Sequence, residues 1–156
     1  MKINWKALIK AVLIPLAVGG LSAALTSGSM EMFGTLVKPP LSPPGWLFPV
    51  VWTILYTLMG IASYQVYAAD APKEQKARAL FVYGVQLVVN FFWSIIFFNM
   101  QAYLFAFYWL ALLWVLIILT IVAFRQISPT AAILLIPYLL WVTFAGYLNY
   151  FIYLLN

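Results

Sequence analysis

The 156-residue sequence contains no cysteine and no histidine. Their absence removes thiolate nucleophiles, imidazole bases, ordinary zinc sites and the commonest axial ligands of haem, and it leaves no disulfide pattern from which to read a redox compartment. Acids are almost as scarce. Glu31, Asp70 and Glu74 are the only three, and all fall outside the apolar segments, so neither a carboxylate pair nor a buried proton relay can be assembled. A proton- or ion-coupled pump is disfavoured for the same reason, and no metal site is expected.

Apolar and aromatic surface is what the chain has in quantity. It is 67% hydrophobic and 7% charged, with a mean hydropathy of +1.04, far outside soluble globular composition, so an integral membrane protein is expected. A helix needs about 20 apolar residues to cross a hydrocarbon core of roughly 30 Å. Five segments qualify: 7 to 26, 46 to 68, 79 to 98, 102 to 124 and 130 to 154. The run from Leu110 to Leu119 is apolar throughout, whereas strands of a membrane barrel alternate. The predicted fold class is therefore all-α: a bundle of five transmembrane helices forming one domain over residues 1–156.

Lys2, Lys6, Lys10, Lys73, Lys76, Arg78 and Arg125 fall on one side of this topology and only Lys38 on the other. Because cytoplasmic loops hold the excess of Lys and Arg, the N-terminus is expected in the cytoplasm and the C-terminus on the opposite side, in a bacterial plasma membrane. The net charge of +5 thus reports topology. The charges sit in separate loop clusters and do not form the contiguous basic surface that nucleic-acid binding needs. The N-terminal lysines ahead of an apolar run also fit a cleavable signal peptide, but Gly19, Gly20, Ala23, Ala24 and Gly28 stand four apart in pairs, the small-residue pattern of a helix packed inside a bundle. Ala69 to Arg78 reads as a solvated loop. The other connections are short, which predicts that sequential helices are antiparallel neighbours. An odd helix count and the lack of an internal repeat argue against inverted transporter halves.

Two patterns locate candidate function. Lys38-Pro39-Pro40-Leu41-Ser42-Pro43-Pro44-Gly45-Trp46 is a stiff clamp, since proline locks its own backbone and bars helix from the residue before it. Helix can begin only beyond it, and that fixes where Trp52 sits. Aromatic and amide residues then fall on shared helical faces: Phe48, Trp52, Tyr56 and Tyr64; Gln86, Asn90, Trp93 and Phe97; Trp141, Ala145 and Asn149. Trp5, Trp46 and Tyr153 suit interfacial belts. Ordinary packing explains most single aromatics. Amides in hydrocarbon want partners, and Asn90, Trp93, Trp52 and Trp141 together would suit a pocket for a flat apolar ligand.

These residues, with Val51-Trp52, Leu55-Tyr56, Ser128-Pro129, Pro137-Tyr138-Leu139-Leu140-Trp141, Phe144-Ala145 and Leu148-Asn149, resemble the TspO/MBR family over nearly the whole chain. That family comprises translocator proteins, peripheral-type benzodiazepine receptors and tryptophan-rich sensory proteins. The resemblance implies a five-helix bundle, often a homodimer, whose pocket accepts porphyrins such as protoporphyrin IX or haem, sterols, or benzodiazepine-type drugs. The segment with Lys38, Pro39, Pro43 and Pro44 would be its lid. Trp52 and Trp141 would wall the pocket, Asn90 and Gln86 would supply polar contacts, and Tyr56, Trp93, Phe144 and Ala145 would shape it. No cofactor is required. The chain departs from the pattern at Met32-Phe33, where members often carry Trp-Tyr, at Trp109, where animal members carry an acid, and after Tyr150, where the animal sterol motif needs a basic residue.

The expected function is a membrane receptor or sensor for porphyrins and similar flat hydrophobic small molecules. Two alternatives are kept. In one, Trp52 and Trp141 are redox-active residues in light- and oxygen-driven porphyrin degradation. In the other, the bundle transports porphyrins across the bilayer.

Overall fold

The computed structural model describes residues 2–156. Five helical spans run Trp5–Gly34, Leu47–Ala68, Lys73–Asn99, Tyr103–Arg125 and Pro129–Leu155, each long and apolar enough to cross a membrane. The first is helix α1 (Trp5–Thr26), a 3-10 turn over Ser27–Ser29 and the short α2 (Met30–Gly34). α3 (Leu47–Ala68) is the second span, and α4 (Lys73–Ser94) ending in a π-turn at Ile95–Asn99 is the third. α5 (Tyr103–Arg125) is the fourth; α6 (Pro129–Leu134) and α7 (Ile136–Leu155) make up the fifth.

Around the bundle the spans touch in the order one, two, five, four, three, with three closing on one. The spans joined by the two short connections, three with four and four with five, are close neighbours as expected, whereas spans two and three, on either side of the stretch from Ala69 to Arg78, touch sparingly, since span five lies beside span two and span three beside span one. Asn4, whose backbone N–H donates to Tyr64 Oη at 2.8 Å, ties the start of α1 to the basic end of the bundle. At the other end Asn99 donates to the Leu25 carbonyl at 3.0 Å and meets Ser29 Oγ at 2.6 Å.

Three local departures from the sequence reading have physical causes. The polar stretch read as a loop from Ala69 to Arg78 is helical from Lys73 onward, beginning directly after Pro72. Lys76 caps the preceding helix, its ammonium donating to the carbonyls of Tyr67 (2.7 Å) and Ala69 (2.9 Å). The fifth span is broken at Leu135, where Pro137 enters the first turn of α7 without a backbone N–H to continue the ladder. Of the four glycines in the first span, Gly20, Gly28 and Gly34 face open space, and Gly19 alone meets a neighbour.

The α1–α3 crossing is a backbone contact. A Cβ added at Gly60 would lie 2.4 Å from the Val12 Cα and 2.7 Å from the Ala11 carbonyl oxygen; one at Gly19 would lie 2.3 Å from the Tyr56 ring. Only glycine permits this approach. Next to α6, α3 packs closely, yet its backbone diverges from α7. Aromatic side chains fill the widening: Trp52 lies edge-on to Tyr138 (6.2 Å between centroids) and Phe48 edge-on to Trp141 (5.8 Å). Beyond that gap the chain from Thr35 to Trp46 has no regular structure, as the prolines require, and Leu41 takes a left-handed φ of 71° with 82% of its surface exposed.

Candidate ligand-binding site

The gap between α3 and α7 lies against a hydrogen-bond chain drawn from three spans. Tyr56 Oη donates to Asn90 Oδ1 at 2.9 Å, Asn90 Nδ2 donates to Tyr138 Oη at 2.6 Å, and Tyr138 Oη donates to Gln86 Oε1 at 2.7 Å. Gln86 Nε2 ends the chain against Met59 Sδ at 4.0 Å. All four polar residues are buried. The amides found on one face of span three therefore have hydroxyl partners on spans two and five, which is how polar side chains persist in a low-dielectric interior. Trp52 stacks on Tyr56 at 5.4 Å, so the chain and the aromatic wall are one unit.

The predicted site residues divide between two places. Trp52, Tyr56, Gln86 and Asn90 form the central group just described. Trp141 stands beside Phe48 and tilts on Phe144 (5.6 Å), and its buried indole Nε1 has no acceptor among the described residues. Ala145 is buried on the following turn. Trp93 belongs elsewhere: it stacks on Phe97 at 5.1 Å and donates to Asn149 Oδ1 at 3.1 Å, while Asn149 Nδ2 donates to the Tyr103 carbonyl at 2.8 Å. That second node ties spans three, four and five nearer the lid end.

Three important residues were not among the predicted ones. Tyr138, only 1% exposed, is the hub of the chain. It lies three residues before Trp141, so extending the Trp141, Ala145, Asn149 stripe one step back would have reached it. Gly19 belongs to the small-residue pattern of the first span, which does not set it apart from Gly20, and Met59 carries no pattern in the sequence.

The predicted lid segment is latched to the last span. Asn156 accepts from the Val37 N–H at 3.0 Å and donates to the Val37 carbonyl at 2.8 Å, and Tyr147 Oη donates to the Pro40 carbonyl at 2.7 Å. Lys38 folds back onto the carbonyls of Phe33 (3.1 Å) and Leu36 (3.3 Å) and over the Phe33 ring. Pro39 is buried, Pro43 half-buried and Pro44 exposed. Phe33, where the family often has an aromatic pair, packs on Phe97 and Phe98. Trp109 donates to the Val89 carbonyl at 2.7 Å, a structural role. Replacing Asn156 by Ala removes both bonds to Val37, each worth about 1 kcal/mol. Hydrogen exchange of the Val37 amide is expected to accelerate by roughly fivefold or more. Unchanged protection would show that the latch holds nothing.

Two clefts open elsewhere on the bundle. One, of about 460 Å³, lies between the start of α4 and the end of α5 beside Arg78 and Gln126; the other, of about 370 Å³, lies between α5 and α7 along Ala111, Thr143 and Gly146. Neither is lined by Trp52, Asn90 or Trp141. No cluster of three or more acidic residues suited to a metal occurs among the described residues.

Five spans around an aromatic, amide-bearing core define a polytopic α-helical membrane protein. Comparison of sequences places it more narrowly. The model of the TspO/MBR family matches residues 11–155, and the chain belongs to that family. It is 43% identical over 142 residues to the tryptophan-rich protein TspO of Chlorobaculum tepidum, covering 90% of each chain. It is similar also to the tryptophan-rich protein TspO of Archaeoglobus fulgidus (39% over 150 residues, 96% of each chain). The translocator protein of Bos taurus is 36% identical over 148 residues, 94% of this chain and 88% of the relative.

Proposed function

We propose that the protein is a membrane receptor or sensor that binds porphyrins and similar flat hydrophobic molecules where α3 and α7 diverge. The observation that carries this reading is the lining of that gap: broad rings from Phe48, Trp52, Tyr138 and Trp141, with two N–H donors beside them that lack acceptors. One is the second amide hydrogen of Asn90, the other the indole N–H of Trp141. Aromatic faces take a planar apolar body, and free donors favour a ligand edged with carbonyl or carboxylate oxygens. Iron-free porphyrin should bind about as well as haem, since the chain offers iron neither of its commonest side-chain ligands, His or Cys.

Quenching of tryptophan fluorescence by protoporphyrin IX tests the site. Trp52→Phe and Trp141→Phe are each expected to weaken binding about fivefold, from lost ring area and, at Trp141, a lost donor. Titrations matching the parent for both variants would put the ligand elsewhere. The stacking of Trp52 on Tyr56 also favours a second reading, porphyrin breakdown under light and oxygen with Trp52 and Trp141 as electron donors. Equal product yield after replacing both tryptophans would exclude it.

The basic residues support the sidedness. The seven that gather by topology at one end of the bundle suit a cytoplasmic N-terminus in a bacterial plasma membrane. Family resemblance supports a homodimer.

A further inference from the structure

The Asn90 amide is held in one orientation, its carbonyl turned to the Tyr56 hydroxyl and one N–H to Tyr138, so the group it has left without any partner is its second N–H, a donor. That orientation depends on the Tyr56 ring lying where it does, and the ring lies against α1. A Cβ on Gly19 would stand 2.3 Å from Tyr56 Cε2, 2.7 Å from Cδ2 and 3.0 Å from Cζ. These distances are too short for any side chain to share the space. Between the two bodies in conflict, the ring is the one that can turn, since the atoms met at Gly19 belong to a side chain that rotates about its own bonds, whereas Gly19 moves only with α1.

We infer that Gly19 is a specificity-determining residue: by leaving room for the Tyr56 ring it keeps the Asn90 carbonyl occupied and biases the site toward ligands that accept hydrogen bonds. A methyl group at position 19 turns Tyr56 off Asn90, frees Oδ1 and gives the site an acceptor. Gly19 touches no ligand in this scheme and acts through Tyr56. The inference rests on the proposed binding site, and it concerns which ligands that site prefers.

Fluorenone and carbazole are flat tricycles of nearly equal outline, one carrying a carbonyl acceptor and the other an N–H donor. Their affinities for the full-length protein in detergent measure the preference. The parent is expected to favour fluorenone, and both Gly19→Ala and Tyr56→Phe to narrow that ratio by about fivefold, the worth of one hydrogen bond. A Gly19→Ala ratio equal to the parent's overturns the inference, as does an unchanged ratio in Tyr56→Phe or a parent that binds neither tricycle. Porphyrin quenching of the same parent, retained or lost, judges the proposed function separately. Thermal unfolding then asks whether the glycine acts through the ring. Gly19→Ala should lower the midpoint in the parent but leave it level or raise it in a Tyr56→Ala background, where a helix gains from alanine over glycine. An equal drop in both backgrounds shows that Gly19 acts by some route other than Tyr56.

Discussion

Gly60→Leu is expected to detach the first span and leave no cooperative unfolding transition resembling the parent's. The expectation follows from what a side chain at position 60 would meet. Its first carbon alone would stand 2.4 Å from one backbone atom of α1, 2.7 Å from another and 3.0 Å from Val12 Cγ2. Backbone cannot rotate aside as a side-chain tip does, so the helices must separate. Overpacking within a core costs about 1–3 kcal/mol when neighbours can adjust, and here they cannot, so a loss above about 3 kcal/mol is expected. The first span is the least embedded of the five, with 11% of its apolar window buried against 28% to 39% in the others. It has few other contacts to hold it once this crossing opens. Gly84→Ala is the control, because nothing lies within 4 Å of a Cβ there. Alanine should be neutral or stabilise by about 1 kcal/mol through helix propensity. Thermal unfolding in detergent, followed by tryptophan fluorescence, measures both. A Gly60→Leu midpoint equal to the parent's would show that the crossing is not close-packed.

Tyr138→Phe is expected to cost about 2 kcal/mol, between the ~0.6 kcal/mol typical of an interhelical bond in lipid and the 1–3 kcal/mol of each buried group left unpaired. The phenylalanine keeps the ring that meets Trp52 and deletes one oxygen. That oxygen serves two partners, and without it an Asn90 N–H and the Gln86 carbonyl lose theirs at once. At 1% exposure water has no route to replace it. Tyr150→Phe is the matched comparison, since its hydroxyl sits on a ring exposed at the bundle surface. Unfolding midpoints that fall together for the two variants would mean that the buried chain adds no stability. A lower midpoint for Tyr138→Phe, with porphyrin quenching also weakened, is the expected pattern.

Much of this architecture is legible in the residues, because lipid enforces simple rules. Apolar length marks five spans, and the prolines from Pro39 to Pro44 place the start of α3 within a residue of the expected 46. The stripe of Gln86, Asn90 and Trp93 does turn inward. What stays hidden depends on distances along the chain that periodicity cannot span. Nothing in the sequence distinguishes Gly19 from Gly20, although one abuts a tyrosine ring and the other faces open space. The clamp of Asn156 on Val37 joins residues 119 apart. Trp93 falls on the same stripe as Asn90 and touches the central core, yet its indole bonds to Asn149 and its ring also packs against the second cluster around Phe97. Helical spacing predicts which face a residue shares, and only the partner helix decides what it meets there.

The circular order of the spans has a consequence for biogenesis. During synthesis the first two helices can zip together as soon as both have left the ribosome, and the third and fourth can do likewise. The fifth must then slot between the second and fourth, so the ring cannot close before translation is nearly done. Until Tyr138 arrives, the amides of Gln86 and Asn90 lack their common partner. The nascent chain thus carries two unquenched polar groups in the bilayer, and their thirst for a hydroxyl helps draw the last helix home.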